Sequence, residues 1–279
     1  MKPELYIIHC KSNIHVGSGD SSYGVIDKLV QRDTADTLPC IFSSSLKGAF
    51  REYFEEVVEK DLPQGKKVMS DRIFGEGSNK KSTGQKKGSH IFQQAFLFSI
   101  PLRSNQKPFY SAIAPFMAKQ LLEMSELFGY KFSNALQKDL EFVRGCKPQK
   151  NEPIIFHQQS QLEIEDFSTF KSQSAPLPEL QKIIDENIVI LNDDDMKRMT
   201  NDYHLPIIAR NKLENGKSKN LWYEQVVPRE SRFTAFVTTD KTPDEFQTNV
   251  SEKVVQIGGD SSVGYGYSLI YSLPKTKTI

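Results

Sequence analysis

The sequence predicts a mixed α+β fold. Some segments are rich in β-branched and aromatic residues, as strands are, and others repeat their apolar residues at helical spacing. The two kinds of segment do not alternate regularly, which argues against a doubly wound sheet. The length of 279 residues corresponds to about two small domains or one large one. Because no internal repeat or linker is visible, we predict one elaborated domain over residues 1–279.

The first part of the chain contains a predicted strand, a turn-rich segment and the clearest helix. Residues 4–10 have the composition of a buried strand, and residues 15–24 are rich in Gly, Ser and Asp, as turns are. Apolar residues recur at helical spacing over 46–60, and the serines at 43–45 are predicted to cap that helix. Residues 75–89 lack periodicity and predict a flexible loop.

The middle of the chain predicts shorter elements. A strand is expected over 91–102, and a helix over 114–128 has Pro115 in its first turn. Residues 157–178 are polar and are predicted to be irregular. The next predicted elements are a helix at 178–185, a strand at 187–191, and a short helix that starts at Asp193 to Asp195.

The last part predicts a hairpin, three strands and a second glycine cluster. The hairpin pairs residues 207–212 with 221–227 around a tip, 213–220, that contains Asn215-Gly216. The other predicted elements, in order, are strands at 233–238 and 254–257, the glycine cluster 258–266, and a strand at 267–273.

Composition and charge exclude several classes of protein. With 36 basic and 35 acidic residues the net charge is +1, so any nucleic acid would be held by local geometry rather than by bulk charge. The three cysteines are odd in number and widely spaced, which indicates neither a disulfide framework nor a zinc site. No apolar run could span a membrane, and no signal peptide is visible, so we expect a cytoplasmic protein without a membrane partner.

The glycine clusters have two interpretations. They can form tight turns between strands, or they can let the backbone approach a ligand closely. Neither they nor the segment 84–89 match a dinucleotide fingerprint or a P-loop. The sequence also lacks the motifs of serine hydrolases, zinc proteases and Cys-x-x-Cys enzymes. A nucleotide-dependent or small-molecule enzyme is therefore poorly supported.

Several motifs together resemble a known family. They lie in the segments 15–19, 24–27, 31–33, 44–51, 73–75, 221–228 and 256–266. In this order they resemble the RAMP superfamily of CRISPR RNA-binding proteins, and within it the family of fourth Cmr subunits from type III-B complexes. The sequence departs from the usual motifs at Phe42-Ser43, Ser261-Ser262 and Tyr265, where the family usually has a glycine, Glu-Thr and a basic residue.

The resemblance implies an architecture and a set of partners. It implies an RRM-like (ferredoxin-like) core with insertions and a protruding β-hairpin thumb, at about residues 204–228 here. Copies of such a subunit stack in a helical filament along the guide (CRISPR) RNA, beside other Cmr subunits, and the thumb wedges between guide nucleotides. Each copy cleaves the paired target RNA, so the cuts fall at regular intervals.

The same resemblance assigns the candidate catalytic residues. Asp27 aligns with the aspartate on which target cleavage depends in the family. Carboxylates of ordinary pKa are poor bases at neutral pH, so we predict that Asp27 holds a divalent metal, expected to be Mg²⁺, or orients the attacking 2′-hydroxyl. His15 is a secondary candidate for acid catalysis or phosphate contact, and Tyr223 and Glu224 for orienting the scissile nucleotide. Each of these residues could instead be structural: a loop cap, a buried histidine or exposed strand positions.

A second group is predicted to bind the guide RNA. Lys47 and Arg51, with Ser44 and Ser45, lie near the start of the predicted helix, where backbone N–H groups attract phosphate. A glycine backbone can approach RNA closely, which makes candidates of Gly17, Gly19, Gly258, Gly259 and Gly264. Contacts with a guide of any sequence should reach phosphates and 2′-hydroxyls rather than base edges. Two alternatives stay open: a non-catalytic guide-binding scaffold, and the equivalent subunit of a type III-A complex.

Overall fold

The described part of the molecule combines one large sheet, one separate hairpin and seven helices. The computed structural model describes residues 1–19, 24–62, 68–76, 87–156, 162–167, 171–172, 177–241 and 244–273. Its strands are β1 (Lys2–Cys10), β2 (Cys40–Ile41), β3 (His90–Phe92), β4 (Ala95–Leu102), β5 (Tyr110–Ile113), β6 (Ile154–Ile155), β7 (Lys171–Ser172), β8 (Ile188–Ile190), β9 (Ile207–Glu214), β10 (Lys217–Gln225), β11 (Arg232–Thr239), β12 (Lys253–Gln256) and β13 (Tyr267–Ser272). Its helices are α1 (Ser43–Tyr53), α2 (Val68–Phe74), α3 (Pro115–Phe128), α4 (Asn134–Gly145), α5 (Pro178–Ile183), α6 (Asp193–Met199) and α7 (Glu245–Val250).

The large sheet contains eleven of these strands. Its order is β12-β13-β1-β11-β4-β5-β8-β6-β7, with β2 beside β4 and β3 beside β11. All pairs are antiparallel except β5 with β8 and β6 with β7. A mixture of helices with a large, mostly antiparallel sheet confirms the predicted α+β class.

The strand β1 lies inside this sheet. It pairs with β11 from Lys2 to His9 and with β13 from Tyr6 to Cys10. Its apolar residues are fully buried, as expected of a strand with neighbours on both sides. The predicted strands at 4–10, 187–191, 233–238, 254–257 and 267–273 are thus confirmed to within two residues at each end.

Helix α1 packs an apolar face on the sheet, as its periodicity predicted, with Leu46, Ala49 and Phe50 buried. It continues as a π-helical turn over Phe54–Val58. The predicted serine cap is wrong, because helical geometry begins at Ser43 and the N-cap residue is Phe42. The reason is local: the Phe42 amide donates to Gln31 Oε1 (2.7 Å), which holds the residue before the helix in an extended conformation.

Some boundaries differ from the predictions. The single strand expected over 91–102 is two strands, β3 and β4, that pair in different registers with β11. Helix α3 begins at Pro115 and ends at Phe128, before Gly129, whose φ of 68° is left-handed, so that prediction is confirmed. Most of the predicted loop 75–89 and most of the predicted irregular segment 157–178 lie outside the described residues. The helices α2, α4 and α7 were not predicted.

An aromatic cluster forms the core beneath α1. The ring of Phe246, from α7, lies 5.0 to 6.2 Å from six neighbouring rings that come from distant parts of the chain: Tyr6, Phe50, Phe54, Phe74, His90 and Phe92. Edge-to-face and stacked pairs at these distances are favourable beyond the area they bury. The cluster therefore joins β1, α1, α2, β3 and α7 around one point.

The strands β9 and β10 form a separate two-stranded sheet joined by the turn Asn215-Gly216. Both turn residues have positive φ, as a two-residue hairpin turn requires. The strands extend further toward the turn than the predicted eight-residue tip, and most of their outer residues are exposed. Among the described residues no helix combines the length and the apolar content that a membrane span needs.

Candidate functional site

Asp27 is exposed and is held at the root of the hairpin. Its Oδ2 accepts a hydrogen bond of 2.7 Å from the Tyr223 amide, and its own amide donates to the Tyr223 carbonyl (3.1 Å). The backbone amide of Lys28 donates to the same carbonyl at 3.1 Å. Within the described residues Oδ1 has no further hydrogen-bond partner. The backbone of β10 therefore fixes an aspartate whose second oxygen faces no donor among the residues that the structure describes.

Glu224 is fully buried beside Asp27. Its carboxylate accepts from Lys28 Nζ (2.6 Å), Arg210 Nη1 (3.0 Å) and Trp222 Nε1 (2.8 Å). Burial acts to raise the pKa of this carboxyl, but the hydrogen bonds from Lys28 and Trp222 and the two positive charges outweigh burial, so the pKa falls below its ordinary value.

This enclosure corrects one expectation about Glu224. It is not an exposed strand position, and the geometry does not support direct contact with a scissile nucleotide, because protein donors already surround both oxygens. Tyr223 differs: its side chain is 37 % exposed, and its backbone makes the contacts with Asp27.

Arg210 lies at the centre of the hairpin root. Its guanidinium group is 5.8 Å from the ring centroid of Trp222 and 5.7 Å from that of Tyr265, within the range of a cation–π contact. It also pairs with Asp260 (3.4 Å) in the glycine cluster 258–266. Lys28 Nζ lies 5.6 Å from the Trp222 ring. We call Lys28, Arg210, Trp222 and Glu224 the hairpin-root cluster.

His15 is buried, with 6 % of its surface exposed. Its Nδ1 is 2.7 Å from the Gln225 carbonyl, and its own carbonyl accepts from the Gly259 amide (2.9 Å). These contacts favour the structural interpretation of His15 over direct phosphate contact. His15 therefore joins the first turn-rich segment to the end of β10 and to the second glycine cluster.

Three of the predicted RNA-binding residues line one cleft. Gly17, Ser45 and Gly258 border an open cleft of about 280 Å³ beside Gln31, Ala49, Glu52 and Gln256. Gln31 connects the walls of this cleft, because the Gln31 Nε2 donates to the Gly17 carbonyl (3.1 Å) and to Ser45 Oγ (2.8 Å). The structure thus brings together residues from segments that the sequence separates by more than 200 positions.

The glycines of this site have different geometries. Gly258 has a φ of +92°, and a Cβ there would lie 2.4 Å from the His15 carbonyl oxygen, so only glycine fits. Gly259 has no such constraint, since the atom nearest to a Cβ at that position would be 4.0 Å away. Gly19 and Gly264 have positive φ in open space and are exposed.

The remaining helix residues are only partly available. Ser44 is exposed and Lys47 is half-buried on α1. Arg51 pairs with Glu55 (2.8 Å) and Asp71 (3.3 Å), so its charge is already balanced within the protein. Lys47 lies beyond the first turn of α1, because that helix begins at Ser43. The predicted site is therefore strongest at Ser44, Ser45 and Lys47 and weaker at Arg51.

The protein offers few ligands for a metal ion. Among the described residues no three His, Cys, Asp or Glu side chains are grouped closely enough to hold one. Within the described part of the chain, Asp27 offers one oxygen without a protein partner, and no second carboxylate joins it, since Glu224 is enclosed by cations. This donor set suits a hydrated Mg²⁺ that takes its other ligands from water and RNA, rather than a protein cage.

Sequence reasoning missed several residues of the site. Lys28 adjoins Asp27, but nothing in its position indicates a partner on β10. Arg210 and Trp222 lie opposite each other in the hairpin, yet a bulge between Ser218 and Asn220 shifts this register by one residue. A larger cleft of about 750 Å³, near Tyr203 and Pro228, contains none of the predicted site residues.

Comparisons with known proteins identify the family. The model of the RAMP superfamily matches residues 7–269. A protein of Pyrococcus furiosus described as CRISPR system Cmr endoribonuclease Cmr4 is 25% identical over 287 residues, which cover 96% of this chain and 94% of that protein.

Solved structures have the same fold. A chain of the type III-B Cmr-beta complex in its apo state superimposes with a TM-score of 0.76 at 21% identity, and 98% of this chain and 97% of that chain are covered. Oligomeric Cmr4 from Pyrococcus furiosus gives a TM-score of 0.69 at 18% identity over 99% and 100% of the two chains. The protein therefore belongs to the RAMP superfamily and is of the Cmr4 type.

Proposed function

We propose that this protein is the repeated backbone subunit of a type III-B CRISPR complex, and that it binds guide RNA and cleaves the paired target RNA. The proposal is supported by the similarity to a protein named Cmr endoribonuclease Cmr4 and to chains of Cmr-beta complexes, one of them bound to cognate target RNA. The type III-B relatives favour this complex over the type III-A equivalent.

The observation that carries the catalytic part is the state of Asp27. It is an exposed carboxylate that the backbone of Tyr223 holds by one oxygen, while the other oxygen has no partner among the described residues. An exposed, fixed oxygen is suited to orienting a 2′-hydroxyl for attack on the adjacent phosphate.

The chain's own residues divide the work as follows. Asp27 orients the attacking 2′-hydroxyl and holds its hydrogen bond, and the partly exposed Tyr223 ring packs beside the nucleotide. Glu224 acts indirectly, because it fixes Lys28 next to Asp27. In the alternative role, Asp27 would instead be the protein ligand of a hydrated Mg²⁺, which would neutralise charge that develops on the phosphate.

Guide binding is proposed for the cleft between the glycine clusters and α1. Gly17, Ser45 and Gly258 line it, and Ser44 and Lys47 lie nearby on α1. The cleft exposes backbone and hydroxyl groups rather than a large apolar surface. Groups of this kind suit contacts with phosphate and ribose, which is what a guide of any sequence requires.

The architecture supports the same proposal. Around β1 the strand order is β13-β1-β11-β4, all antiparallel, with α1 and α7 in the connections, and we propose that this is an RRM-like core. We further propose that the hairpin of β9 and β10 is the thumb, that copies stack along the guide, and that residues 1–279 form a single domain. Oligomeric Cmr4 among the similar structures supports contact between copies.

The test is target cleavage by the reconstituted complex. With wild-type protein and Mg²⁺ we expect a ladder of products at regular spacing, and with EDTA we expect intact target. Asp27→Asn keeps the size and the hydrogen bond to Tyr223 but removes the charge, so the ladder should fade by about 100-fold or more while target affinity stays unchanged.

The controls separate catalysis from binding. Asp185→Asn, an aspartate outside the site, should leave the ladder unchanged. An Asp27→Asn complex that still cleaves at the wild-type rate would remove Asp27 from the mechanism. Intact target in every reaction, with guide and target bound, would instead identify a non-catalytic scaffold.

A further inference from the structure

We propose that Arg210 is a positioning residue that locks the root of the hairpin to the glycine cluster 258–266 and thereby fixes Asp27 for cleavage. This inference rests on the proposed function. Arg210 touches no reacting group; it acts through Glu224, Lys28 and the backbone of Tyr223.

The first step is the bridge itself. Arg210 lies on β9, pairs with Glu224 on β10 (3.0 Å), and pairs with Asp260 in the cluster 258–266 (3.4 Å). Its guanidinium group also contacts Trp222 and Tyr265, one ring on each side of the junction. Among the hydrogen bonds, ion pairs and ring contacts of the described residues, those that join the hairpin directly to this cluster are made by Arg210.

The second step runs from Arg210 to Asp27. Glu224 is fully buried and is neutralised from one side by Arg210 and from the other by Lys28 (2.6 Å). Lys28 follows Asp27, and the amides of both residues donate to the Tyr223 carbonyl. A shift of Glu224 therefore moves Lys28, and with it the segment that presents Asp27.

The third step concerns the kind of side chain. A guanidinium group is planar, stays charged, and can make several hydrogen bonds while it contacts aromatic rings. Lysine could replace the positive charge of Arg210. It could not replace the several N–H donors of the guanidinium group or its planar contact with Trp222 and Tyr265. Because Glu224 and Asp260 balance its charge, Arg210 is poorly placed to serve as a simple phosphate contact.

The experiment compares Arg210→Ala and Arg210→Lys with the wild type in the reconstituted complex. Three quantities are measured: target affinity, the single-turnover cleavage rate, and amide hydrogen exchange at residues 27 and 28. Trp222 is the only tryptophan in this chain, so its fluorescence in the isolated full-length subunit reports on the cluster. Arg103→Ala is the matched control, since it removes an arginine paired with Glu165 (2.9 Å) on an exposed surface.

We expect Arg210→Ala to lower the cleavage rate about 10- to 100-fold with target affinity within about twofold. Exchange at residues 27 and 28 should rise, Trp222 emission should change, and Arg210→Lys should restore part of the rate. A wild-type rate in Arg210→Ala, a matching loss of target binding, or unchanged exchange at residues 27 and 28 would each overturn the inference.

A second variant separates a folding defect from a loss of positioning. Arg210→Ala/Glu224→Gln removes the buried carboxylate that Arg210→Ala leaves with only one of its two cationic partners. We therefore expect the double variant to fold but to cleave slowly, and cleavage at the wild-type rate would also overturn the inference. If the wild-type complex binds target but never cleaves it, the proposed function is wrong. The exchange and fluorescence measurements then still decide whether Arg210 fixes the Asp27 segment.

Discussion

Two neighbouring carboxylates at the hairpin root have opposite environments. Asp27 is exposed and its Oδ2 accepts from a backbone amide, whereas Glu224 is enclosed by Lys28, Arg210 and Trp222. Among the described residues the first environment leaves one carboxylate oxygen without a protein partner, and the second engages both oxygens in holding the hairpin root together. Residue type alone does not separate these roles; burial and partners do.

The buried ion cluster predicts an acid-dependent stability. The pKa of Glu224 is lowered in the folded protein, so this carboxyl stabilises the fold above its ordinary pKa of 4.5, and that contribution is lost as the pH falls through the lower, folded value. Glu224→Gln should cost about 1–3 kcal/mol of unfolding free energy at pH 7. The difference from wild type should shrink at pH 3 in urea denaturation.

The matched control is Glu123→Gln on the surface of α3, where the side chain is 65% exposed and its lysine partner is 3.7 Å away. It should change stability little at either pH. The pKa values of Glu230 and Asp244 are also lowered by their partners, so the Glu224 variant keeps part of the acid dependence. If Glu224→Gln lowers the unfolding free energy by the same amount at pH 7 and at pH 3, the stabilising role assigned to the Glu224 carboxylate is wrong.

Two adjacent glycines separate turn geometry from ligand contact. Gly258→Ala places a Cβ against the His15 carbonyl in a left-handed conformation, so it should lower stability by about 1–3 kcal/mol. Gly259→Ala meets no such obstacle and should change stability by less than about 0.5 kcal/mol. If the guide backbone passes close to Gly259, this second variant should still weaken guide binding, measured by filter binding. Normal guide binding by Gly259→Ala would indicate that the two glycines serve turn geometry rather than contact with RNA.

At the scale of elements, the hairpin is nearly independent of the large sheet. Its strands form a sheet of their own, and its outer residues are exposed. An isolated two-stranded hairpin is at best marginally stable in water, so contacts at its root must hold it in place. Those contacts include the ion pairs of Arg210 and Glu224, the backbone bonds of residues 223–226 and the contact of His15 with the Gln225 carbonyl.

Shortening the hairpin tests its proposed role. Deleting residues 212–214 and 217–220, with Asn215-Gly216 kept as the turn, keeps Asn211 opposite Leu221 and should change the unfolding free energy by less than about 1 kcal/mol because only exposed residues are lost. Target cleavage by the complex should fall sharply if the hairpin wedges between guide nucleotides. A hairpin of natural length with Lys212, Lys217 and Lys219 changed to Gln separates length from charge. An unaltered product ladder from the short hairpin would contradict the wedge.

The sequence predicted elements well where one local signal was strong. Pro115 and Gly129 bracket α3, and Asn215-Gly216 marks the hairpin turn. Helix α4 could also have been found, because Ser133 caps it and Leu136, Leu140 and Val143 follow at helical spacing. Helix α7 has only six residues, too few for a periodic pattern, although it supplies Phe246 to the core.

The site was predictable in outline but not in its contacts. The family motifs led us to predict Asp27, Ser45 and Gly258 as site residues, and the structure places Gly17, Ser45 and Gly258 around one cleft. The ion pairs that Lys28 and Arg210 make with Glu224 depend on long-range packing and on a β-bulge. Neither of these leaves a local sequence signal. The burial of His15 and Glu224 follows from the same packing.

At the scale of the whole molecule, the fold hides its thiols. Cys10 lies within β1 between two partner strands, and Cys40 lies on β2; burial raises the pKa of each thiol to about 12. Cys146, at the end of α4, is half-buried. All three cysteines are free.

Alkylation at neutral pH should therefore proceed in two stages, with Cys146 modified first and Cys10 and Cys40 only when the sheet opens. Mass spectrometry of iodoacetamide-treated protein across a urea series would measure this, and rapid modification of Cys10 in the absence of urea would contradict it. The two buried cysteines thus report on the opening of the central strands without any introduced residue.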